Sequence, residues 1–259
     1  MLNGKFCICY SAVSLKCSPW TNPAAAWNMK YSFLLLVTVL SSLSASISHA
    51  DNVRVDLGDF KIDQTEVSIG RFAEYAQRKQ VTTAAEREGG GFEYVMGWQR
   101  RPGWTWKTPF GVAGQPNEPA VHINWFEAQA FCQDAGGALP TQAQWVQAAY
   151  TEQRTNPPAP FVQGKTYPYP TGDSPQGANV EGAEDGWARH APVGATKLGV
   201  NGLYDMGANT WEWLADAQGP TRLTAGGSWW YGPSKMRREG MQYKPADLYV
   251  VYVGFRCVY

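Results

Sequence analysis

Asn117-Glu-Pro-Ala-Val-His-Ile-Asn-Trp-Phe-Glu-Ala-Gln-Ala-Phe-Cys132 is followed, after two residues, by Ala135-Gly-Gly-Ala-Leu-Pro-Thr-Gln-Ala-Gln-Trp145. This stretch decides the fold, because it holds two helix starts of one chemical kind. Asn124 can accept from the first free backbone N–H groups of a helix, and Glu127, three residues on, can reach back to the cap. Ala128, Phe131, Cys132 and Ala135 then recur at helical spacing and form an apolar stripe. Gly136-Gly137 ends that helix. Thr141 and Gln144 repeat the same box, with Trp145, Ala148 and Ala149 on the inward face.

Outward from this pair the chain is irregular. Asp59-Phe-Lys-Ile-Asp63 reads as a short strand. Ser68 caps a helix with Ile69, Phe72, Ala73 and Ala76 on one face. Glu88 to Gly111 is rich in Gly and Trp and opens with Gly89-Gly90-Gly91. It lacks the Lys-Ser/Thr of a phosphate loop and reads as a long surface loop. Pro157 to Pro175 is again loop. From Gly202 onward short aromatic strands alternate with turns, ending in Tyr249 to Tyr259. No internal repeat, low-complexity linker or charge run interrupts the pattern. A few helices amid short strands and long loops make an α+β class, a single compact loop-rich domain.

Residues 1–50 read differently. Met29-Lys30 precedes the apolar run Phe33 to Leu40, and a small-residue stretch ends in Ser48-His-Ala50. A basic start, a short apolar region and a small-x-small ending make a secretory signal peptide over residues 29–50. The apolar run is too short for a transmembrane helix. Residues 1–28 read as an upstream extension with a misassigned start. The mature domain is then 51–259, and its expected compartment is the periplasm. Three of the 22 basic residues, Lys5, Lys16 and Lys30, precede Asp51, which leaves 19 against 22 acidic ones. A mildly acidic balance gives no electrostatic case for nucleic acid. The mature part keeps two cysteines, Cys132 and Cys257. In an exported chain the simplest reading is a disulfide; two separate buried thiols is the other.

Further words complete the picture: Asn201-Gly-Leu-Tyr-Asp-Met-Gly-Ala-Asn-Thr-Trp-Glu-Trp213, Gly226-Gly-Ser-Trp229 and Gly254-Phe-Arg-Cys257. In order and spacing they resemble the formylglycine-generating enzyme (sulfatase-modifying factor) family, over essentially all of residues 59–259. The resemblance implies an irregular α+β fold related to C-type lectins, and a Cys132–Cys257 disulfide. The family's enzymes convert a sulfatase cysteine to formylglycine with two copper-binding cysteines placed just after the Gly-Gly-Ser word. Direct counting puts Tyr231 and Met236 at those positions, and no slip of register supplies a cysteine. A thiolate is both soft-metal ligand and nucleophile in such chemistry, so no copper is expected. An iron-binding branch uses three histidines, and the mature chain has only His122 and His190; His122 reads as a satisfied histidine before a helix.

The resemblance also implies two calcium sites. The first would use the side chains of Asn179 and Asp185 with the carbonyls of Val180 and Trp187. The second would use the side chains of Asp205 and Glu212 with the carbonyls of Ala208 and Thr210, Ala208 standing where glycine is usual. Oxygen ligands of mixed origin suit Ca²⁺; the plain alternative is turn-forming Asn and Asp residues. Ser228, Trp229, Trp230, Tyr231, Lys235, Arg237, Arg238 and Glu239 form the candidate groove, able to hold a ligand by stacking and charge pairing. Residue by residue, Trp229 also reads as core and Lys235 to Arg238 as solvated loop.

Three functions remain open. One is a non-catalytic periplasmic module, resembling the TagR branch that acts upstream of a membrane threonine kinase in type VI secretion, with the kinase sensor domain as partner. The second is a cysteine-independent oxidoreductase resembling the pyoverdine-maturation branch of siderophore tailoring. The third is formylglycine generation itself.

Overall fold

The computed structural model describes residues 53–182 and 184–259. The signal peptide and upstream extension read at residues 1–50 lie outside the described residues.

The order of elements is β1 (Arg54–Asp56), β2 (Lys61–Asp63), α1 (Ile69–Lys79), α2 (Ala84–Arg87), β3 (Phe92–Tyr94) and β4 (Trp98–Arg100). Then come α3 (Trp125–Asp134), α4 (Gln142–Tyr150), β5 (Trp211–Gln218), β6 (Thr221–Ala225), β7 (Gln242–Pro245) and β8 (Val253–Gly254). The capping boxes of α3 and α4 form as their residues dictate. Asn124 and Glu127 exchange bonds, as do Thr141 and Gln144. Gly136 takes a left-handed φ of 80° after α3. At Gly137 a Cβ would lie 2.2 Å from the Val258 carbonyl oxygen, so only glycine lets the C-terminal segment pass.

One expectation needs correction, and one element was not expected. Glu88–Gly111 is not all loop: it contains the antiparallel pair β3–β4, with Phe92 opposite Arg100 and Tyr94 opposite Trp98. α2 was also unforeseen, although it carries its own Thr83–Glu86 capping box. At four residues it was too short to show apolar periodicity.

The main sheet has the order β7-β6-β5-β8, with β5 and β8 parallel and the other pairs antiparallel. β5 divides the interior, since successive side chains point to opposite faces. Trp211 and Trp213 enter one core with Phe72, Phe131, Trp229 and Phe255. Leu214 enters another with Ile62, Trp145, Leu203 and Leu223. A Cys132–Cys257 disulfide ties α3 to the C-terminal segment across a sequence separation of 125. Beside it Phe131 and Phe255 meet edge to face at 5.3 Å. Among the described residues no helix is long and apolar enough to cross a membrane.

Candidate functional site

The segment Ser228–Glu239 does not form one groove. Ser228 is buried, and Trp229 is only 7% exposed, wedged between Phe110 and Trp230. Trp230 turns outward at 38% exposure. Met236, at the second of the two positions where the family carries cysteines, dives inward beside Ala178 and Ala208. This dive splits the candidate residues. Arg237, Arg238 and Glu239 emerge with Val146, Tyr150 and Tyr167 around a separate cavity of about 390 Å³. There Arg237 lies 4.6 Å from the Tyr169 ring centroid and donates to the Tyr169 hydroxyl. The sequence stripe was read as one surface; the chain instead crosses the molecule at Met236.

Around Tyr231 the structure gathers residues that sequence reasoning missed. The Tyr231 ring stands edge-on to Trp211 at 5.5 Å and to Tyr252 at 6.0 Å. Tyr252 continues to Trp98 at 6.5 Å, and Trp98 to Tyr94 at 5.3 Å. An aromatic row thus runs from the sheet out to the β3–β4 hairpin, where Tyr94 and Trp98 are about half exposed. Burial raises the Tyr231 and Tyr252 phenol pKa values, so both rings are neutral at physiological pH. Beneath the row, Lys244 of β7 projects inward. Its Nζ lies 4.1 Å from the Trp211 ring centroid and donates to Gln242 Oε1 at 2.9 Å. Desolvation, helped by the nearby Lys235 charge, brings the Lys244 pKa down to about 7. The only sequence signal for Lys244 was its place between Tyr243 and Pro245, the outward-facing neighbours of an edge strand. Nothing local marks which ring it would meet.

The two histidines are apart in role. His122 is fully buried, its Nε2 meets the Pro109 carbonyl, and desolvation lowers its pKa to about 4. It is a neutral core histidine. His190 pairs with Glu118 at 2.8 Å.

The two proposed cation sets differ in fit. At the first, Asn179 is fully buried and its Nδ2 donates to Arg189 O and Asn209 Oδ1, each at 2.9 Å. Its Oδ1 is left buried with no hydrogen-bond partner. Asp185 closes the adjoining loop by accepting from the Val180 and Trp187 N–H groups. Asn179, Asp185, Trp187 and Thr196 line a cavity of about 310 Å³. An orphaned amide oxygen and a carboxylate lining one cavity fit a hard cation. The second set does not fit. Glu212 accepts from Trp145 Nε1 and Arg256 Nε, and its Oε1 lies 2.6 Å from Arg256 Nη2. Asp205 accepts from Gly194 N–H and the Thr196 hydroxyl. A cation there would have to displace a fully buried guanidinium. Ala208 itself tolerates its glycine position, at φ 69°. Among the described residues no three His, Cys, Asp or Glu side chains gather in a way that could hold a metal ion.

Glu66 completes this buried polar centre. It accepts from the Thr210 N–H and hydroxyl and from Asn209 Nδ2. Desolvation and the neighbouring Asp205 and Glu212 charges raise its pKa well above its ordinary value. One guanidinium, that of Arg256, faces three buried carboxyls.

An irregular α+β domain, a long disulfide, two capped helices against a mixed sheet and a site loop after Gly226-Gly227 define the formylglycine-generating-enzyme fold. A family model described as "Sulfatase-modifying factor enzyme 1-like domain" matches residues 40–259, and the chain belongs to that family. Formylglycine-generating enzyme from Thermomonospora curvata is 29% identical, with 78% of this chain and 82% of that protein covered. Inactive C-alpha-formylglycine-generating enzyme 2 of Mus musculus is 30% identical over 68% of this chain and 65% of its own length. Among solved structures, PvdO from Pseudomonas aeruginosa superposes with a TM-score of 0.57 at 21% identity, covering 77% of this chain and 79% of that one. CarF gives 0.52 at 17% identity, covering 80% and 92%.

Proposed function

We propose that this chain is an exported, non-catalytic recognition module of the formylglycine-generating-enzyme fold, stabilised by calcium at the Asn179 set. The observation that carries the reading is the pair of residues where the family places its cysteines. Tyr231 is a neutral, caged phenol and Met236 is core. The two cysteines among the described residues are joined to each other. Among the described residues no thiolate is left to bind copper or attack a substrate. That the family includes a protein named as an inactive form supports the same direction. What stays in the site is an aromatic row that begins half-exposed at Tyr94 and Trp98, with Trp230 outward on the adjoining loop. Rings of this kind supply large contact area at low entropic cost. The partner in this reading is a periplasmic or membrane protein, with the sensor domain of a threonine kinase of type VI secretion as the leading candidate.

The test is affinity capture from periplasm and inner membrane, with and without calcium, comparing the natural chain with Trp230→Ala. Trp230 is outside the core and its ring meets Trp229 edge to face, so its loss should abolish capture and shift the thermal midpoint by no more than about 2 °C, as surface changes typically do. Capture of the same partner by the Trp230→Ala chain would reject this face. No protein partner, together with oxygen uptake on siderophore precursors, would replace the reading with an oxidoreductase.

A further inference from the structure

We propose that Lys244 Nζ and Trp211 Nε1 form the anchor for a carboxylate on a ligand whose flat apolar body lies along Tyr231, Tyr252 and Trp98. The inference rests on the recognition reading above and gives that site a ligand chemistry.

Trp211 is fully buried, yet its Nε1–H meets no acceptor. The Trp229 Nε1–H is unmet as well, but among the described residues no cation stands over its ring, and three other indoles are satisfied. Trp213 Nε1 donates to Ile123 O at 3.0 Å, Trp145 Nε1 to Glu212 at 2.7 Å and Trp125 Nε1 to Leu214 O at 2.8 Å. An unmet buried donor is uncommon and needs a reason. The reason is supplied by what stands over the same ring. Lys244 is 8% exposed and places its ammonium 4.1 Å from the Trp211 centroid. Among the described residues its one side-chain hydrogen bond goes to a neutral amide and it forms no ion pair. The charge it feels is that of Lys235, a second cation. Buried charges are normally paired. One tryptophan thus carries an N–H without an acceptor and, over its ring, an ammonium without a counter-ion, and a group that completes both is an anion.

The aromatic row sets the rest of the ligand. Trp211, Tyr231, Tyr252, Trp98 and Tyr94 follow one another at 5.3–6.5 Å from centroid to centroid. Trp211 and Tyr252 are closed, Tyr231 is half-buried and the outer two rings are open to solvent, so entry runs inward from the hairpin side. Glu93, the acid beside this row, is already neutralised by Arg101 at 2.7 Å and does not compete for Lys244. A single ammonium and a single indole N–H match the two oxygens of a carboxylate.

The experiment uses the full chain with ¹⁵N-labelled tryptophan. The Trp211 indole resonance is assigned by Trp211→Phe. Benzoate is the probe and benzamide its neutral isostere, each up to about 10 mM, where a millimolar site saturates. The expected result is a saturable Trp211 shift with benzoate at least about tenfold tighter than with benzamide, lost in Lys244→Met and kept in Lys244→Arg. Equal binding of benzamide, an unmoved Trp211 resonance, or an unchanged response in Lys244→Met each overturns the proposal. Thermal melts of both variants show that the fold survives. If benzoate fails while partner capture still depends on Trp230, the anchor falls and the recognition reading stands.

Discussion

Replacing Lys244 by Met should change how the stability of this protein depends on pH, and the size of the change follows from its burial. Met keeps an apolar stem against Trp211 and removes the charge. In the natural chain the amine titrates at its ordinary 10.5 when unfolded and at about 7 when folded. Below pH 7 both states carry the proton, and the folded state bears the full cost of desolvating it. Between those two values the unfolded chain binds one more proton than the folded one. Stability therefore rises with pH across this window, at about 1.4 kcal/mol per unit. From pH 7 to pH 9 the gain is about 2.5 kcal/mol for the natural chain and none from this position in Lys244→Met. The assay is urea unfolding of both proteins at pH 6, 7, 8 and 9, with the difference in unfolding free energy plotted against pH. The raised carboxyls Glu66, Asp205 and Glu212 act in both proteins and cancel in that difference. The variant should be the more stable protein at pH 6, and its advantage should shrink steadily above pH 7. Parallel curves, with no narrowing by pH 9, would refute the claim that Lys244 is a desolvated, unpaired cation.

Other outcomes are equally concrete. The double change Cys132→Ser/Cys257→Ser opens a loop with a sequence separation of 125; the chain-entropy model gives a loss of about 5 kcal/mol, read as a large fall in the denaturant midpoint. Arg256→Met strands Glu212 without its buried partner, and the expected cost is about 3–5 kcal/mol in the same assay. Calcium should raise the thermal midpoint by linkage, and Asn179→Leu should remove that response; a response that persists in Asn179→Leu would place the ion elsewhere.

The fold was legible where local chemistry was explicit. The boxes Asn124–Glu127 and Thr141–Gln144 fixed two helix starts, because a cap is a contact between residues three apart. The stripe Ala128, Phe131, Cys132 told which face of α3 is buried. The β3–β4 hairpin was not legible, because three-residue strands carry too little alternation to stand out from a Gly- and Trp-rich loop. The site was half legible. Tyr231 and Met236 at the cysteine positions could be counted from the Gly-Gly-Ser word. That Met236 enters the core, and so separates Trp230 and Tyr231 from Arg237 and Arg238, depended on Ala178 and Ala208, which lie far away along the chain.

By itself the sequence determined the fold class, the family words, the missing thiol pair and the two cysteines available for a bridge. Each is a property of residue identity or of near neighbours. Tertiary structure decided that Glu212 pairs with Arg256, that Asn179 keeps an unmet oxygen, and that Lys244 lies beneath an aromatic row ending at Tyr94. Those outcomes depend on distances between residues tens to more than a hundred positions apart. Desolvation and charge pairing depend on the surroundings that long-range packing creates, and a one-dimensional pattern does not contain them.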